Sequence, residues 1–109
     1  MTNPEHYSFR VRWSGEDEAF VGTVAEMPSL SWLADSQVEA LLGIRELVAG
    51  VLVDMTAEGE EPPVPIADRA YSGKFLVRIP PEVHRQLALD AAEQQVSLNR
   101  LASARLTGS

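Results

Sequence analysis

The sequence predicts an α+β protein in two parts, and three observations carry that prediction. A run of alternating residues lies near the start, a long apolar-periodic segment opens with a capping box, and a basic alternating stretch is followed by two short helices. A proline-rich segment separates the parts, so the expected organisation is residues 1–59, a linker over 60–71 and a second module over 72–109.

In the first part, Tyr7, Phe9, Val11 and Trp13 alternate with Ser8, Arg10 and Arg12, the pattern of a half-buried strand. Residues 14–18 supply turn chemistry, and residues 20–25 give a second strand with Phe20 and Val24 on one face and Val21 and Thr23 on the other. Gly22 within it marks a close approach or a bulge. Residues 30–33 are long enough for a third strand. Ser36 and Glu39 then form the capping box of a helix of roughly twenty residues, with Val38, Leu41, Leu42, Val48, Val51, Leu52 and Met55 at helical spacing. This helix is expected to lie across a three-stranded sheet whose core includes Trp13 and Trp32. The following run through Pro62, Pro63 and Pro65 has no periodicity and reads as a stiff, extended linker outside any core.

The second part opens on residues 74–79, where Phe75, Val77 and Ile79 share one face of a strand and Lys74, Leu76 and Arg78 share the other. Pro80 and Pro81 end the strand, because neither can donate to a ladder, and Pro81 has its φ preset for a first helical turn that Glu82 makes acidic. Val83, Leu87 and Ala91 form the narrow apolar stripe of that helix. Ser97 is a natural N-cap for the next one, which carries Leu98, Leu101, Ala102 and Leu106 inward. About forty residues in this arrangement bury too little to be stable alone, so the module must pair or dock.

One strand and two helices that need a partner resemble the ribbon-helix-helix DNA-binding module, and the wording K-F-L-V-R-I-P-P-E-V-H-R-Q-L is similar to the C-terminal part of HicB-family antitoxins. The layout of the whole chain is similar too, with the first part the weaker match. The resemblance implies that two chains pair their strands and that Phe75, Val77, Ile79, Leu87, Leu98 and Leu101 form the dimer core. It implies that Lys74, Leu76 and Arg78 face base edges of operator DNA in the major groove, and that Ser97, Leu98 and Asn99 hold a phosphate. Where the family usually has glycine before the second helix this chain has Gln95; either the turn differs, or it carries a positive φ at a cost of roughly 1 kcal/mol. For the first part the resemblance implies a partial, catalytically dead RNase-H-like fold that covers a small HicA-like RNA-cleaving toxin. The expected function is that of an antitoxin that neutralises the toxin and represses its own transcription as a dimer or higher homo-oligomer. The alternative is a stand-alone ribbon-helix-helix regulator whose first part senses a ligand or mediates oligomerisation.

Charge is divided unevenly. The chain carries −7 in all, yet up to Ile66 three arginines face twelve carboxylates, and from Ala67 onward the balance is +2. An acidic front suits a basic protein partner and a mildly basic back suits DNA, especially once pairing doubles it. No cysteine is present, which excludes disulfides and thiolate metal sites and fits a reducing compartment. No run of eighteen apolar residues and no basic-then-apolar leader occurs, so the reading places the protein in the cytoplasm without a membrane partner. Glu16, Asp17 and Glu18 are consecutive in a turn and diverge, and His6 and His84 have no acid or nucleophile at a spacing that suggests a dyad. The expectation is therefore a binding protein with no metal, cofactor or catalytic residues.

Overall fold

In the computed structural model, which describes residues 3–108, the alternating residues near the start form β1 (Phe9–Ser14). The chain then turns into β2 (Ala19–Val24) and continues to β3 (Ser31–Ala34), giving an antiparallel sheet of order β1-β2-β3. Helix α1 (Gln37–Ala57) follows, and the Ser36 hydroxyl oxygen accepts from the Glu39 N–H at 3.1 Å, as the capping box predicts. The chain divides into two compact units, the first reaching Tyr71 and the second beginning at Ser72.

Helix α1 crosses the sheet over Gly22. The ladder there is regular, with Val11 opposite Gly22 and Gly22 opposite Trp32, so the glycine serves close approach and makes no bulge. A Cβ at that position would lie 2.6 Å from the Ala40 carbonyl oxygen and 2.9 Å from the Ile44 side chain. The core that this contact permits contains Tyr7, Val24, Met27, Ile44, Val48 and Leu52, flanked by Phe9, Leu30, Leu47 and Val51.

Three expectations for this unit are corrected. First, the buried line of α1 runs through Ala40, Ile44, Val48 and Leu52, while Val38, Leu41 and Leu42 face solvent. The helix is apolar on nearly every side, so its periodicity did not select the inward stripe. Second, Trp13 is 56% exposed and Trp32 45% exposed, so neither is sheet core. Trp13 meets Phe20 edge to face with ring centroids 5.1 Å apart, and Trp32 lies over Gly43, where any side chain would collide with its indole.

Third, the proline-rich segment is not a free linker. Pro65 is buried, the Tyr7 hydroxyl donates to the Pro63 carbonyl at 2.6 Å, and the Ile66 N–H donates to the Glu26 carboxylate at 2.9 Å. Residues 62–68 thus form a strap on the first unit and end in a single 3-10 turn, Ile66–Asp68. Glu26 is its clasp. Partial burial would raise the Glu26 pKa, but donation from the N–H groups of Ile66, Ser8 and Glu26 itself and from the Ser8 hydroxyl outweighs this and holds it below its ordinary 4.5. A depressed carboxylate pKa contributes stability that is complete above the ordinary value and is lost as pH falls through the folded-state value. Glu26→Gln is therefore expected to destabilise the first unit by about 1 kcal/mol at neutral pH, by turning charge-assisted hydrogen bonds into neutral ones. The gap between wild type and variant should close in melts run well below pH 4.5; a gap that stays constant with pH would remove the clasp from the account.

Candidate nucleic-acid interface

The second unit is two helices preceded by a segment without regular secondary structure. Helix α2 (Pro81–Glu93) begins where the prolines predict, with Pro81 in its first turn beside Glu82, and α3 (Leu98–Leu106) begins after Ser97. The turn between them carries the backbone geometry that the glutamine had put in question. The Val96 N–H reaches the Ala91 carbonyl at 3.0 Å and the Gln95 N–H reaches that of Ala92 at 3.2 Å, a Schellman closure that needs a left-handed residue between them. Gln95 supplies it with φ of 57°, whereas the equivalent position after α1 is Gly59 with φ of 75°. The chain accepts strain at Gln95 and keeps the turn. Gln95→Gly is expected to raise the stability of this unit by about 1 kcal/mol, read from the midpoint of urea unfolding. No gain would mean that the glutamine side chain contributes something the backbone geometry does not reveal.

The helices are tied by Ala91 and Leu101, the buried pair, and by Asp90, which accepts from Arg105 at 2.8 Å and from Gln86 at 2.8 Å. The Arg105 hydrogen bond, helped by Gln86, holds the Asp90 carboxyl below its ordinary value. Little else is covered. Of the expected dimer core, Leu101 is buried and Leu87 and Leu98 are partly buried, but Phe75, Val77 and Ile79 lie open to solvent, Phe75 at 76%. Leu76, expected on the opposite face, is 81% exposed. Residues 74–79 form no ladder within the single chain, so the predicted strand is not formed there and both faces are exposed.

This unit carries a net charge of +2. Lys74 and Arg78 keep their exposed positions, and Arg85 and Arg100, which the sequence reading did not single out, join them without a carboxylate partner among the described residues. A signal for Arg100 was present in the sequence. Ser97 caps α3 by accepting from the Arg100 N–H at 3.0 Å, the same bond that Ser36 makes to Glu39, yet the third helical position carries a cation in α3 and an anion in α1. The first turn of α3 has no acidic residue to answer its dipole, so Ser97, Leu98 and Asn99 present N–H groups and positive charge together. The Ser97 oxygen is engaged in the cap; its hydroxyl proton remains available to an acceptor.

The first unit offers other chemistry to weigh. His6 meets Asp68 at 2.8 Å across 62 residues of sequence, a pairing that no local spacing could signal. The pair lines an open cleft of about 650 Å³ with Asn3, Thr56 and Glu61, and both partners are close to half exposed. Glu16, Asp17 and Glu18 are solvated in the hairpin turn, where Asp17 is engaged by Ser14 at 2.9 Å. Among the described residues no three His, Cys, Asp or Glu side chains come together in a way that could hold a metal ion. None of the described helices is long and apolar enough to cross a membrane.

The HicB family model matches residues 56–106, a little under half of the chain, and this supports membership of that family. The match begins at the end of α1 and takes in the strap, the exposed segment and both helices of the second unit. No curated protein and no solved structure matches the chain.

Proposed function

We propose that this chain, matched by the HicB family over residues 56–106, is the antitoxin of a type II toxin–antitoxin pair. Its second unit pairs with that of another copy to form a ribbon-helix-helix module, the two copies of residues 74–79 making an antiparallel ribbon in the major groove of operator DNA. Lys74, Leu76 and Arg78 read base edges, and the first turn of α3, with Ser97, Leu98 and Asn99, holds a backbone phosphate. Its first unit, a partial RNase-H-like fold, covers a small basic HicA-like RNA-cleaving toxin, and the whole acts by binding, without catalysis. Autorepression follows when the DNA bound is the chain's own promoter.

The observation that carries this reading is the segment 74–79. Six consecutive exposed residues, with Lys74, Leu76 and Arg78 alternating with Phe75, Val77 and Ile79, come directly before two helices whose buried side chains are only Ala91 and Leu101. Exposing Phe75, Val77 and Ile79 together is unfavourable by about 1.5–3 kcal/mol for each side chain relative to burial, which a second copy would recover. The charge division supports two separate jobs. Four arginines stand against thirteen carboxylates up to Tyr71, giving −9, and the unit from Ser72 carries +2. Arg10 and Arg12 on β1 occupy strand positions where a metal-dependent nuclease would need carboxylates.

The test is an anisotropy titration of the full chain against the DNA upstream of its own reading frame at fixed salt. Arg78→Ala and Lys74→Ala are expected to weaken binding by about 1–3 kcal/mol each, with Arg78→Ala also relaxing sequence preference if it makes a bidentate guanine contact. Binding as tight as wild type in both variants would remove the ribbon as the reading element. A co-expressed small basic nuclease whose growth arrest this chain relieves would support the other half.

A further inference from the structure

We infer that the solvent face of α1 seats a basic, amphipathic segment of a protein partner, an assignment that rests on the toxin-binding role proposed above and names the surface that performs it. Val38, Leu42, Ala49 and Val53 lie along one side of α1, away from Ala40, Ile44 and Val48, as two apolar pairs with Arg45 and Glu46 between them. Val38, Leu42 and Val53 are exposed, Leu42 at 49%. Singly exposed apolar residues need no explanation; a row of them on one helix face marks an interaction surface.

The rim identifies the occupant. Glu39 and Glu46 border these pairs on one side, and Glu5, from the segment before β1, borders them on the other. The one cation on α1, Arg45, is already engaged by Glu5 at 2.8 Å, which leaves Glu46 as uncompensated charge. Between these elements runs a shallow groove of about 490 Å³ whose helix wall is Leu42, Arg45, Glu46 and Ala49. Apolar floor and carboxylate rim together suit a partner that offers leucine-like side chains flanked by lysine or arginine. A second copy of this unit fits poorly, because it brings the same −9 and the same acidic rim to the contact.

The experiment uses the full chain and a synthetic leucine/lysine amphipathic helix of roughly 15 residues, about four turns, labelled for anisotropy. Its leucine/glutamate counterpart serves as the charge control. Saturable binding of the lysine peptide is expected, weakened by salt and absent for the glutamate peptide. Leu42→Gln and Glu46→Lys should each weaken it about tenfold, while Leu33→Gln, on the sheet face away from α1, leaves it unchanged. All three substitutions are at exposed positions, and circular dichroism verifies the fold. No saturable binding, equal binding by all variants, or loss only in Leu33→Gln would overturn the proposal. So would a drop in oligomeric state on Leu42→Gln without peptide, since the face would then be an interface between copies. Because the readout involves neither DNA nor toxin neutralisation, its failure is separate from failure of the antitoxin reading.

Discussion

Ile44→Ala is expected to destabilise the first unit by about 2–5 kcal/mol, while Leu42→Ala, two residues earlier on the same helix, is expected to cost no more than about 0.5 kcal/mol. Ile44 is fully buried, packed on Gly22 at the point where α1 crosses the middle strand, and the backbone contact there leaves no room for the helix to settle inward and fill a cavity. A loss at the upper end approaches the whole stability of a unit this size. Urea unfolding followed by circular dichroism measures both variants, and similar midpoints for the two would mean that α1 is rotated on the sheet from the orientation described. The contrast matters beyond stability, since the partner surface inferred for α1 requires Leu42 to face away from the core.

What the sequence revealed of this architecture depended on how local each signal was. The capping box at Ser36 and Glu39 located the start of α1, and Pro81 and Ser97 located the starts of α2 and α3, because a proline with preset φ and a capping side chain each act within one turn. Gly22 was legible as a position of close approach or a bulge, and the structure decides for close approach, because only a missing side chain admits the helix backbone there. The inward face of α1 was not legible, since a helix with leucine and valine on every side offers no stripe to choose. Trp13 and Trp32 misled for a related reason: large apolar area does not by itself decide burial, and the two rings cover an edge and a helical glycine. The strap escaped notice because its bonds join residues 40 to 62 positions apart, with Glu26, Tyr7 and His6 at one end and Ile66, Pro63 and Asp68 at the other. In the second unit the period-two alternation of residues 74–79 has no counterpart in the single chain, where both faces are exposed and no strand forms. Arg100 needed comparison of two N-caps within the chain.

Phe75→Ala is expected to lower stability by about 3–5 kcal/mol in the species that binds DNA, although Phe75 touches little in the single chain. At 76% exposed, truncating it in a monomer removes almost no buried surface, so a monomer should lose less than about 0.5 kcal/mol. If two copies pair through residues 74–79, Phe75 becomes core and its truncation carries the full cost of a buried phenylalanine. The same pairing makes stability depend on protein concentration, because the folded dimer gains and the unfolded chain does not. Leu76→Ala is the matched control: it is 81% exposed, stands on the opposite face of the segment, and faces DNA in the paired ribbon, so it should leave the melting temperature unchanged while weakening operator binding. Thermal melts of wild type and both variants at concentrations roughly a hundredfold apart, beside sedimentation, read out the difference. The wild type should melt higher at the higher concentration, and Phe75→Ala should melt low and sediment as a monomer. Equal, small effects of Phe75→Ala and Leu76→Ala on melting would mean that both faces of residues 74–79 stay solvated in the working species. The DNA-reading ribbon would then have to be sought in another element.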